Sequence, residues 1–167
     1  GIQTLPEIIS IVFTILTIVA LVNSYNLIDG SDGLAGLLGI LSAVYFGSWF
    51  FVTNNISMAL MAFSLTGSLI GFLIYNWSPA KIFMGDTGAM IVGFIVSILV
   101  IQFIEWNKEI EASKSILINK DYWIYASPSV AVAAISLPAL DMVRVFMLRI
   151  MNRKSPFSAD RSHLHHI

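Results

Sequence analysis

A chain of 167 residues with 57% hydrophobic and only 11% charged residues cannot cover itself with a water-facing surface, because soluble domains carry about 25% charged residues. A formal net charge of −1 and no basic, aromatic-studded patch predict no affinity for nucleic acid. The absence of cysteine excludes both a disulfide framework and a thiolate metal site. What remains is an all-α, polytopic membrane helix bundle in a lipid bilayer, a single integral-membrane domain over residues 1–167.

The first residue is Gly, and no charged n-region or small-residue cleavage site precedes the first apolar run. The expectation is therefore a chain that starts inside a longer protein. Five segments have the length and apolarity of a bilayer span, which needs about 20 residues. In chain order they are Pro6–Ile28, Leu34–Val52, Ile56–Tyr75, Gly88–Ile104 and Ser127–Leu148. The first, with IISIVFTILTIVALV, is apolar on all sides and lacks the alternation of a barrel strand. In the third, Gly67 and Gly71 stand four apart, which suits either close helix contact or the simple tolerance of Gly in membrane helices.

Five spans put Asp29–Gly33, Asn76–Thr87 and the tail Arg149–Ile167 on one side, and Thr53–Asn55 and Glu105–Ala126 on the other. The first side holds Lys81, Arg149, Arg153, Lys154 and Arg161, with Arg144 nearby. On the second side, Lys108, Lys114 and Lys120 are diluted by Glu105, Glu109, Glu111 and Asp121. The positive-inside bias makes the first side cytoplasmic. The opposite segment reads as a solvated connection, with Trp106, Tyr122 and Trp123 as interfacial anchors.

Three polar clusters fall on the cytoplasmic side. NSYNLIDGSDGLAG, residues 23–36, carries Asn23, Asn26, Asp29 and Asp32 along a helix that frays at Gly30. A polar turn is the plain alternative there. NWSPAKIFMGDTGAM, residues 76–90, contains Pro79 and a tight turn Gly85-Asp86-Thr87-Gly88 before the next span. Asp86 suits a helix N-cap, and it equally suits a small re-entrant segment that presents a carboxylate to magnesium. The tail RIMNRKSPFSADRSHLHHI carries Arg161, His163, His165 and His166. Their spacing is poor for zinc, while Arg and imidazole side chains suit phosphate. Asp141 and Arg144 are read as a pair that neutralises itself within the last span. A rim of carboxylates, amides and imidazoles suits an enzyme acting on a soluble phosphorylated substrate. A transporter would place polar groups at the midplane instead.

NSYNLIDGSDGLAG, NWSPAKIFMGDTGA and SPFSADRSHLHH, in this order, resemble the polyprenyl-phosphate N-acetylhexosamine-1-phosphate transferase family of bacterial membranes. The ending PF-x-x-DR-x-HLHH is more similar to the branch that uses UDP-N-acetylglucosamine. The muramyl-pentapeptide branch has three consecutive histidines, interrupted here by Leu164. The resemblance implies transfer of a sugar-1-phosphate from a UDP-N-acetylhexosamine to undecaprenyl phosphate, releasing UMP, at the inner membrane with cytoplasmic active-site loops. It implies catalytic roles for Asp86, Asp29, Asp32 and His163, and substrate binding by Asn23, Asn26, Asn76, Lys81, Arg161, His165 and His166. It makes Asp86 the ligand of Mg²⁺, with Mn²⁺ as a substitute. Family members have about twice as many spans and an acidic pair that this chain lacks. The chain is thus expected to be a C-terminal half that is inactive without an N-terminal half. The alternatives are a phospho-N-acetylmuramoyl-pentapeptide-transferase-like enzyme, a non-catalytic membrane subunit and a small transporter.

Overall fold

The computed structural model describes residues 6–112 and 120–151. Among them the chain is helical with no strand. Four helices are long and apolar enough to cross a membrane: α1 (Glu7–Ile28), α2 (Leu34–Val52), α3 (Ile56–Asn76) and α4 (Gly85–Ala112). The protein is a polytopic, all-α membrane protein. At a rise of about 1.5 Å per residue, 19 to 22 residues match the roughly 30 Å hydrocarbon core.

The fourth span differs from expectation at both ends. It begins at Gly85, so the expected turn Gly85–Gly88 is already the first turn of the helix. Its 28 residues would run to about 42 Å, which carries Glu105, Lys108, Glu109 and Glu111 out of the apolar layer as helix. Much of the expected solvated connection is thus a helical extension.

The expected fifth span, Ser127–Leu148, is helical on both sides of a break and is not one continuous helix. Residues 127–151 form two helices, α5 (Ser127–Ala134) and α6 (Ser136–Met151), each shorter than a membrane crossing. The break at Ile135 has a local cause. Pro138 has no N–H to give to the carbonyl of Ala134, and its ring crowds that carbonyl. Hydropathy reads straight through this site because an apolar count does not register a missing donor. Asp141 and Arg144 do pair on α6, at 3.6 Å.

α2 packs along α3, and α1 along α4, with α6 against α1. Small residues bring α2 and α3 together: a Cβ on Gly39 would stand 2.6 Å from Leu69, and one on Gly47 would stand 2.9 Å from Ala62. Gly67 and Gly71 have nothing within 4 Å of a would-be Cβ, so no helix among the described residues uses them for close contact. Toward the end away from the Asp-rich loops, Phe46, Trp49, Phe50 and Phe103 form an aromatic cluster, with Trp49 and Phe103 centroids 4.4 Å apart. Exposed Ile8, Ile11, Val12 and Ile15 on α1, and Leu60, Ile70 and Ile74 on α3, face outward as lipid requires.

That far end is tied by amides. Buried Asn107 donates from Nδ2 to the carbonyl of Ile124 (2.6 Å) and accepts at Oδ1 from its N–H (2.9 Å). Trp49 Nε1 donates to the carbonyl of Tyr122 (3.1 Å), in a 3-10 turn at Lys120–Tyr122. This pins the segment before α5 to α2 and α4.

Candidate functional site

The C-terminus of α1 and the N-terminus of α4 meet, and the two Asp-bearing loops close on each other there. α1 ends at Ile28, with Asp29 as its C-cap. The next residues turn through Ser31 to Gly33, whose φ of 72° starts α2. α3 ends at Asn76, and residues 77–84 cross to the start of α4 with a cis Ser78–Pro79 bond.

Asn26, Asp29, Asp32, Asn76 and Asp86 each bond across to the facing loop or helix. Asn26 Nδ2 donates to Asp86 Oδ1 at 3.2 Å. Gly85 N–H donates to Asp29 Oδ2 at 3.1 Å, and Ala80 N–H donates to Asp32 Oδ2 at 3.1 Å. Gly85 adopts φ 71°, a conformation that costs little without a Cβ and aims its N–H back at α1. Asn76 lies beneath, 4% exposed. Its Oδ1 accepts from Gly33 N–H (2.9 Å) and its Nδ2 donates to the carbonyl of Ile82 (2.8 Å). One buried amide therefore fastens both loops.

The structure brings Asn26, Asp29, Asp32, Asn76 and Asp86 together. Asn23 lies a turn earlier on α1, exposed, and its amide is spent on the carbonyl of Val19 (2.7 Å). The exposed Lys81 is on the rim, and its backbone N–H closes the loop on the carbonyl of Tyr75 (2.8 Å). Arg161, His163, His165 and His166 lie outside the described residues. The backbone N–H groups of Gly85 and Ala80 were not legible as site groups, because any residue carries an N–H and only the turn decides where it points.

Burial pushes the Asp29 carboxyl above the ordinary carboxylate range, the Gly85 N–H pulls it back, and the charge of Asp86 pushes it up again. With metal chelated, the folded chain keeps the Asp29 proton at pH values where the unfolded chain has lost it. The Asp29 contribution to stability is then full below the ordinary carboxylate range and falls as pH rises through the raised value. In EDTA, the thermal midpoint of the native sequence should therefore drop relative to Asp29→Asn over that interval. A relative rise there would refute this account of the carboxyl.

Among the described residues no three His, Asp or Glu side chains converge as a ready-made metal cage. Magnesium does not require one, since it takes one or two carboxylates and completes its shell with water and phosphate oxygens. Asp86, exposed in the first turn of α4, and Asp29, close enough to feel its charge, fit that demand. Oδ1 of Asp29 and Oδ2 of Asp86 take no part in the bonds described above. The N-terminus of α4 adds partial positive charge beside them, which suits a phosphate.

The chain is 35% identical over 109 residues to the decaprenyl-phosphate N-acetylglucosaminephosphotransferase of Mycobacterium leprae, covering 65% of this chain and 26% of that protein. It is 29% identical over 134 residues to the undecaprenyl-phosphate alpha-N-acetylglucosaminyl 1-phosphate transferase of Yersinia pestis, covering 76% and 33%. A probable undecaprenyl-phosphate N-acetylglucosaminyl 1-phosphate transferase of Bacillus subtilis is 34% identical over 100 residues, covering 59% and 24%. The chain thus spans about a quarter to a third of the length of these curated relatives. Residues 1–104, which hold the whole carboxylate rim, match the model of glycosyl transferase family 4, and the chain belongs to that family.

Proposed function

We propose that this chain supplies the carboxylate rim of a polyprenyl-phosphate N-acetylglucosamine-1-phosphate transferase of the bacterial inner membrane, with the rim on the cytoplasmic side. An oxygen of undecaprenyl phosphate attacks the β-phosphorus of UDP-N-acetylglucosamine. The bond from that phosphorus to the bridging oxygen breaks, and UMP leaves. The observation that carries this reading is the joining of two membrane helices, end to end, by Asn26–Asp86 and Asp29–Gly85. It groups carboxylates and a helix N-terminus at one end of the bundle, which supports a site for a soluble nucleotide-sugar beside lipid. The activities in the relatives' names and the basic residues of the same side support it.

In this reading Asp86, with Asp29 beside it, holds Mg²⁺, which when bound neutralises the pyrophosphate and the developing charge on UMP. Asn26 orients Asp86, and Asp29 and Asp32 keep the α3–α4 loop closed over the rim through the N–H groups of Gly85 and Ala80. Arg161, His163, His165 and His166 engage the donor phosphates, and Lys81 adds charge at the rim.

The test is transfer of radiolabelled N-acetylglucosamine-1-phosphate from its UDP form to undecaprenyl phosphate in detergent. This chain is assayed alone and in a hybrid where it replaces the matching segment of the Yersinia pestis relative. Magnesium-dependent product from the hybrid, and none from the chain alone, is expected. A hybrid that inserts and folds but transfers nothing would overturn the reading.

A further inference from the structure

α1 and α4 approach backbone to backbone at Gly93. A Cβ built on Gly93 would stand 2.8 Å from the carbonyl oxygen of Leu21 and 2.8 Å from the Cα of Val22. Neither obstacle is the movable end of a side chain. Any larger residue at 93 therefore has to push the two helices apart, by more than about half an ångström to reach ordinary contact distance.

Val22 precedes Asp29 by seven residues, and Gly93 follows Asp86 by seven. The contact thus lies roughly 10 Å along each axis from the carboxylates, at about 1.5 Å per residue. The two bonds that join the helix ends are 3.2 Å (Asn26–Asp86) and 3.1 Å (Gly85–Asp29). Both are at the long limit of real hydrogen bonds, and another half ångström would take them to about 3.6 Å or beyond, where no bond remains. We propose that Gly93 is a positioning residue, the contact that sets the spacing of Asp29 and Asp86 across the α1–α4 seam. This rests on the proposed function for its consequence, which is that Gly93 governs the affinity of the rim for a divalent cation. The positioning claim itself stands on geometry.

The test uses this chain in micelles, with amide hydrogen exchange read by NMR for two reporters. Gly85 N–H reports the seam at the site, and Ile124 N–H, held by Asn107, reports the far end. Gly93→Ala should speed exchange at Gly85 by at least about tenfold and leave Ile124 within about threefold. Gly67→Ala, in open space, should change neither. Equal acceleration at both reporters would mean a general loss of stability, and no acceleration at Gly85 would mean the seam does not set the site; either overturns the proposal. Mn²⁺ broadening of the Gly85 resonance adds a separate reading. It should need about tenfold more Mn²⁺ in Gly93→Ala, following the exchange ratio. If Mn²⁺ acts on neither protein, the cation reading fails while the exchange result still decides the positioning claim. If Gly93→Ala does not fold, native-state exchange of the unaltered chain in rising denaturant decides instead. Gly85 should then open together with the amides flanking Gly93. Opening with Ala80, well before them, would overturn the proposal.

Discussion

Asp86→Asn should lower magnesium-dependent transfer by the hybrid enzyme at least about 100-fold, the scale on which single groups that neutralise a reacting charge act. The same change should leave the fold intact. An asparagine at 86 keeps an oxygen for Asn26 Nδ2, so the 3.2 Å link between α1 and α4 has a replacement of the same shape. It also removes the negative charge that helps to push the Asp29 carboxyl up. In EDTA the variant should therefore match or slightly exceed the native thermal midpoint, because a charge that disfavours the ionised Asp29 is gone. Loss of turnover with stability kept is the signature of a charge used in chemistry. Unchanged magnesium-dependent turnover in Asp86→Asn would sink the metal assignment.

Asn76→Ala should destabilise the fold by about 1–3 kcal/mol, because one buried and one partly buried hydrogen bond go and the buried N–H of Gly33 is left without its partner. The partners are the N–H of Gly33 and the carbonyl of Ile82, one on each loop of the site. Asn107→Ala is the matched control. It too removes a buried amide with two backbone bonds, both to Ile124, at the opposite end of the bundle. The two variants should lose similar stability, measured as thermal midpoints in one detergent. In the hybrid enzyme, at a temperature where both remain folded, only Asn76→Ala should lose most of its transfer. Equal transfer in the two would mean that the loops need no clamp to work. Asn76→Asp should be no better than alanine, since it places a carboxylate oxygen against the Ile82 carbonyl.

The comparison of these two asparagines also shows what was legible beforehand. Asn76 opens the polar stretch after the third apolar run, and the family resemblance implied substrate binding for it. In the structure its side chain is consumed by two loops, which makes it a scaffold for the site. Asn107 lay among Glu and Lys residues and looked like part of a solvated connection, yet it is 3% exposed. Hydropathy averages over neighbours, and so it hides one buried amide in a charged stretch. It also hid the break at Ile135, where one proline among apolar residues divides an expected span into α5 and α6.

The sequence by itself determined the membrane setting, the four long helices and the gathering of Asn26, Asp29, Asp32, Asn76 and Asp86 at one rim. Lipid demands length, apolarity and satisfied backbone groups segment by segment, and those are properties of consecutive residues. Only the tertiary structure decided which rim groups pair. Asn26 and Asp86 are 60 positions apart, and Gly33 and Asn76 are 43 apart. Such pairings depend on where two helices cross and how closely. For Asn26 and Asp86 that is set by the lack of a side chain at Gly93 against the backbone of Leu21 and Val22, and for Gly33 and Asn76 by Gly36 and Gly39 against Leu73 and Leu69, contacts that no local pattern of residues announces.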